Sequence, residues 1–88
     1  MNVTFRKSFS RDLKAIHDPG LLARVQRVIE EVEAAPRLQT VSNLEKISGT
    51  TNFFRIRIGE YRIGISVEGD TVELIRCLSR REIYRFFP

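Results

Sequence analysis

From Phe53 to Leu78 the chain alternates largely apolar with polar residues at a period of two, interrupted only at Gly59-Glu60 and Gly69-Asp70. Successive side chains of a strand point to opposite faces, so this pattern describes half-buried strands. Two-residue breaks that contain glycine suit tight hairpin turns. The stretch therefore reads as a meander of Phe53–Ile58, Tyr61–Glu68 and Thr71–Leu78. With both loops two residues long, Ile58 faces Tyr61, Arg57 faces Arg62, Ile56 faces Ile63, Arg55 faces Gly64 and Phe54 faces Ile65. One face then carries Phe54, Ile56, Ile58, Tyr61, Ile63, Ile65 and Val67, joined by Val72, Leu74 and Leu78. Arg76 falls on this apolar face as well, which calls for a guanidinium snorkelling at the rim or for a bulge that shifts it.

An apolar sheet face has to be covered, and the residues before the meander supply the cover. Val3–Phe5 reads as a short strand. Phe9, Leu13 and Ile16 follow at helical spacing, with Ser8 placed to cap the start. Asp18-Pro19 opens a second helix as N-cap and first helical residue. Its apolar face is Leu21, Leu22, Val25, Val28, Ile29 and Val32, and Pro36 ends it. Between Arg37 and Asn52 the pattern is irregular, with Leu38, Leu44 and Ile47 as anchors. The expected architecture is a single α+β domain over residues 1–88. A small antiparallel sheet, a short N-terminal strand plus the three-stranded meander, carries a helical hairpin on one face.

Composition excludes several classes of function. One cysteine, Cys77, and one histidine, His17, leave no disulfide framework, no Cys/His metal cluster and no reserve for a Ser-His couple. The expectation is no metal and no cofactor. The five glycines form no phosphate-binding loop. The opening residues carry no apolar leader, and no window approaches a membrane span, so a cytoplasmic chain without a membrane partner is expected. Fifteen Lys and Arg against eleven Asp and Glu give +4, a balance that favours an anionic partner. His17 reads as a surface residue, Cys77 as a small apolar strand residue across from Arg62, and Glu30-Glu31-Glu33 as a solvated helix face.

The second face of the meander breaks a local rule. It carries Phe53, Arg55, Arg57, Arg62, Gly64 and Ser66, with Arg57 directly opposite Arg62. Like charges in that position repel by a few tenths of a kcal/mol or more, and such breaks gather at functional sites. Gly64 beside Arg55 removes a side chain where a ligand could come close. In the tail, Arg80, Arg81 and Arg85 surround Tyr84, a mixture that suits phosphates and a stacked base. Ile83, Phe86 and Phe87 of the same segment read as core anchors. By register the nearest acids to the arginine face are Glu73 and, in the tail, Glu82.

The order Phe-Arg-Ile-Arg-Ile, tight turn, Tyr-Arg-Ile-Gly, third strand and closing Arg-Arg-Glu-Ile-Tyr-Arg-Phe-Phe, with Asn43–Gly49 before the sheet, resembles the RelE/ParE superfamily of toxins from toxin–antitoxin pairs. Within it the chain is more similar to the RelE branch, whose members cut messenger RNA in the ribosomal A site, than to the ParE branch, which poisons DNA gyrase. The resemblance implies two helices on one sheet face and a cleft on the arginine face. It matches Arg55 and Arg57 to paired basic residues of the first meander strand and Arg62 to the arginine after the tyrosine of the next. Tyr84 matches the C-terminal tyrosine, and Arg80 or Arg81 the basic residue before it. Many relatives have His-Arg where this chain has Ser79-Arg80.

The expected activity is metal-free RNA cleavage by attack of the 2′-oxygen on the adjacent phosphorus. Arg55, Arg57 and Arg62 would hold the phosphate, Arg80 or Arg81 would assist it or the leaving oxygen, and Tyr84 would stack on a base or orient the 2′-hydroxyl. Lys46 and Arg85 would join Arg55 and Arg57 as RNA contacts. The implied partners are a cognate antitoxin, in a hetero-oligomer, and the ribosome with its messenger RNA. The alternatives are a gyrase inhibitor that acts by protein binding and a non-catalytic RNA-binding relative.

Overall fold

The computed structural model describes Met1–Pro88. Five strands and three α-helices follow one another as β1 (Asn2–Phe5), α1 (Lys7–Lys14), α2 (Pro19–Ala34), β2 (Leu44–Lys46), β3 (Phe53–Ile58), β4 (Tyr61–Glu68), β5 (Thr71–Ser79) and α3 (Arg80–Phe86), with a 3-10 turn at Leu38–Thr40. The sheet order is β1-β5-β4-β3-β2. The meander and its register stand as the alternation requires, from Ile58 opposite Tyr61 to Phe54 opposite Ile65. Gly59 and Gly69 both take positive φ, 56° and 58°, the left-handed backbone that two-residue hairpins demand.

Two strand features depart from expectation. β1 runs parallel to β5, Asn2 opposite Thr71 through Phe5 opposite Leu74, so the sheet is mixed. β2 adds a fifth strand antiparallel to β3, with Glu45 opposite Arg55. Three residues are too few for a period of two to be read.

Asp18 caps α2 by accepting hydrogen bonds from the backbone N–H groups of Gly20 (2.9 Å) and Leu21 (3.2 Å), with Pro19 at the first helical position. The helix stops at Ala34 because Pro36 forces Ala35 into extended backbone, φ −69° and ψ 132°. Phe9, Ile16, Leu21, Val25, Ile29 and Val32 bury against Ile56, Ile58, Ile63, Ile65, Val72 and Leu74. Each fully buried side chain of this kind stabilises the fold by about 1.5–3 kcal/mol relative to leaving it in water.

Ser8 does not cap α1. The N-cap is Arg6, without a side-chain bond, and the Ser8 hydroxyl instead donates to the Ile75 carbonyl oxygen at 2.5 Å. That contact marks a bulge. Gly64 pairs with Arg76 and Ile65 with Leu74, leaving Ile75 as an extra residue in β5. Beyond it the alternation is shifted by one. Cys77 enters the main core opposite Ile63, not Arg62, and Leu78 packs on the second face. The bulge accounts for Arg76 too, whose guanidinium bonds both carboxylate oxygens of Asp12 at 2.8 and 3.1 Å. Those bonds outweigh the cost of desolvation and raise the Arg76 pKa above its ordinary value, with further help from the Asp12 and Glu82 charges.

Candidate functional site

The second face of the sheet is roofed in part by α3, whose start is written in Ser79-Arg80-Arg81-Glu82. The Ser79 hydroxyl accepts from the Glu82 backbone N–H at 3.3 Å and donates to the Glu82 carboxylate at 3.2 Å, a capping arrangement. Ile83 and Phe87 are buried on Ile75, with Ile47, Phe53 and Leu78 packed around them. The Phe87 ring lies on Gly64 so closely that a Cβ there would stand 2.7–2.8 Å from three of its carbons. Gly64 therefore admits this ring, not a ligand, which corrects the expectation that it leaves an open approach.

With Ile83 and Phe87 docked, Tyr84 turns outward and is 56% exposed. The Arg55 guanidinium carbon stands 4.7 Å from the centre of its ring, a cation–π contact that holds both groups together at the edge of the roof. Arg80, four residues before Tyr84, shares its stripe of α3 and is exposed. Arg81 and Arg85 take the neighbouring stripe and, with Ser79 and Glu82, line an open hollow of about 400 Å³. Arg85 also lies 5.4 Å from the Phe86 ring.

Beneath this surface Arg62 is nearly buried, 6% exposed. Its Nη1 donates to the carbonyl oxygens of Gly59 (2.8 Å) and Tyr61 (2.9 Å), tying the guanidinium to the β3–β4 turn. Glu45 Oε1 lies 3.6 Å from Arg55 Nε and 3.5 Å from Arg62 Nε. These are ion pairs by distance only, because none of the three atoms has a hydrogen-bond partner although all are buried. One carboxylate against two guanidinium groups leaves this cluster a net positive charge.

Glu45 is the residue that the register of the meander alone could not supply. It reaches the arginine face on β2, whereas Glu73 pairs with Arg6 at 2.7 Å and Glu82 closes the cap of α3. Arg57 remains exposed, with its Nη2 3.4 Å from Asn43 Oδ1. Lys46 does not join the cluster. It stands opposite Phe54, a register position of the helix-covered face, and is exposed there. His17 is exposed, and burial, aided by the Asp12 charge, pushes the Cys77 thiol up to about 12. No group of three His, Cys, Asp or Glu side chains is placed to hold a metal ion. No helix is long and apolar enough to cross a membrane.

Against known proteins, residues 3–84 match the family described as the ParE toxin of the type II toxin–antitoxin system parDE. Toxin RelE3 of Methanocaldococcus jannaschii is 44% identical over 90 residues, which span the whole of both chains. The crystal structure of a RelB-RelE antitoxin–toxin complex from Methanococcus jannaschii contains a chain that superposes with a TM-score of 0.82 at 40% identity, covering 97% of this chain and 99% of that one. The archaeal RelE-RelB complex from Pyrococcus horikoshii OT3, at 20% identity, and the YoeB dimer from Staphylococcus aureus, at 19%, share the fold, each with a TM-score of 0.73. They cover 90% and 91% of this chain, and 93% and 97% of their own. The chain belongs to the RelE/ParE superfamily of toxins from type II toxin–antitoxin systems.

Proposed function

We propose that this toxin is a ribosome-dependent endoribonuclease that cuts messenger RNA in the A site without a metal ion. The observation that carries the reading is Arg55 stacked on the outward Tyr84 ring above a buried charge cluster, two guanidinium groups to one carboxylate. A ring exposed on one side can receive a base, and a guanidinium fixed beside it can receive the adjoining phosphate in a bidentate grip. The 2′-oxygen attacks phosphorus, the bond to the 5′-oxygen breaks, and a 2′,3′-cyclic phosphate and a 5′-hydroxyl remain. Arg55 and Arg57, with Arg80 or Arg81, neutralise charge that develops on the phosphoryl oxygens. Arg62, bound to two backbone carbonyls, acts chiefly by holding Glu45 and Arg55 in place.

Guanidinium groups stay protonated and are poor bases, and the carboxylate of Glu45 is flanked by two of them. Alignment of the 2′-hydroxyl for in-line attack on the ribosome then supplies much of the rate, and naked RNA is a poor substrate. The natural partner is an antitoxin with an acidic toxin-binding segment, forming a hetero-oligomer in the cytoplasm. The RelE chains similar to this one stand in complexes with RelB, which supports that reading. The match to a ParE family description favours a second reading, gyrase inhibition by protein binding.

The test is a map of new messenger RNA 5′ ends after induction of the toxin alone. Discrete cuts at fixed codon positions are expected, and Tyr84→Ala or Arg55→Ala should slow cutting on programmed ribosomes by about 10²–10³-fold. Arg62→Ala is a poor probe, because it strips the donor from the Gly59 and Tyr61 carbonyls. Growth arrest with intact messages would turn the reading towards gyrase.

A further inference from the structure

We infer that Asp12, together with Ser8, is a positioning residue for Tyr84, acting from α1 through the bulge of β5. β1 stops at Phe5 opposite Leu74, so the β5 edge beyond Leu74 has no strand beside it. α1 takes that place with side chains. Ser8 Oγ donates to the Ile75 carbonyl oxygen, and Asp12 Oδ2 accepts from the Cys77 backbone N–H at 2.9 Å. The same carboxylate holds Arg76 by two hydrogen bonds. Three consecutive residues, with the extra one first among them, are thus fixed by two side chains of one helix turn.

What the bulge does explains why it is held. In an uninterrupted strand Ile75 and Leu78, three apart, would face opposite sides. The extra residue puts both on the side of α3, where they meet Ile83 and Phe87. That seat is what turns Tyr84 outward under Arg55. The first turn of α3 is linked to the clamp by charge as well, since Glu82 adds to the stabilisation of protonated Arg76. Without the clamp the β5 register past Ile75 is free to slip back, and the seat loses one of its two strand residues.

The coupling itself does not depend on what the toxin cuts; only its consequence for cleavage rests on the proposed nuclease activity. The chain has two tyrosines and no tryptophan, so Tyr61→Phe leaves Tyr84 as the sole emitter. In that full-length background, Asp12→Ala should raise acrylamide quenching of Tyr84 about twofold, to the level of Arg55→Ala, because the guanidinium no longer covers one ring face. Circular dichroism should show the helices retained. Asp12→Asn, which keeps an acceptor for the Cys77 N–H, should restore most of the protection. Asp18→Ala, which loosens α2 without touching β5, should leave quenching unchanged.

Unchanged quenching in folded Asp12→Ala would overturn the inference, as would an equal rise in Asp18→Ala. Should Asp12→Ala fail to fold, Ser8→Ala decides it, with an intermediate rise expected and wild-type quenching overturning the inference. On programmed ribosomes Asp12→Ala should lower the rate of cutting with ribosome affinity unchanged. A wild-type protein that cuts nothing would remove the nuclease reading while the quenching result still stands for or against the clamp.

Discussion

Gly64 shows how a single position can be read in two ways from its neighbours alone. On a strand face of arginines a missing side chain suggests room for a ligand, and only the far end of the chain reveals that Phe87 fills it. Gly64→Ala forces a methyl group to within 2.8 Å of the ring and should destabilise the protein by about 1–3 kcal/mol in denaturant melts. Combined with Phe87→Ala the same change should cost almost nothing more, and that coupling is the check. Cys77 makes a second prediction. Its thiol is raised from 9.0 to about 12 chiefly by burial, so the folded state keeps a proton that the unfolded state gives up in that window. Stability conferred by the neutral thiol is full below pH 9 and declines towards pH 12, at most about 1.4 kcal/mol per unit. Urea melts of wild type against Cys77→Ala should diverge over that range and run parallel below it. The arginine cluster was legible because alternation fixes which residues share a face. Glu45 was not, since its place depends on a strand too short to carry a pattern.

Elements were legible in proportion to how much of their own signal they contain. α2 carries its cap, its first-position proline, a full apolar stripe and its stop, and it forms where those signs indicate. Asp18→Ala removes two hydrogen bonds from the first turn and should cost about 1 kcal/mol, lowering the melting temperature by about 4–8 °C. The meander register follows from two glycine turns for the same reason. The bulge does not. Arg76 on an apolar face signalled that something must give, but the choice between snorkelling and a bulge belongs to Asp12, on a helix 64 residues away in sequence. α3 held an unread sign in Ser79 and Glu82, the spacing of a capping box, which defines the start of the helix that carries Tyr84.

For the whole molecule, charge and topology act together. The excess of four positive charges is spread over the arginine face and the outer stripes of α3, while the largest apolar cluster lies between the sheet and α1 with α2. Fold and candidate site therefore occupy opposite sides of one sheet, and surface substitutions at Arg57, Arg80 or Arg81 leave the main core untouched. Parallel pairing of β1 with β5 has a different consequence, one in time. Asn2 waits for Thr71, so β1 finds its partner only after β2, β3 and β4 have been made. Loop closure over that span precedes any return from the contacts it makes. Strand β5, which lies between β1 and β4, the bulge it carries and the Tyr84 helix all come after the rest of the sheet. A ribosome making this protein thus holds an incomplete sheet until β5 has emerged, and the group proposed to act on messenger RNA is assembled only after that.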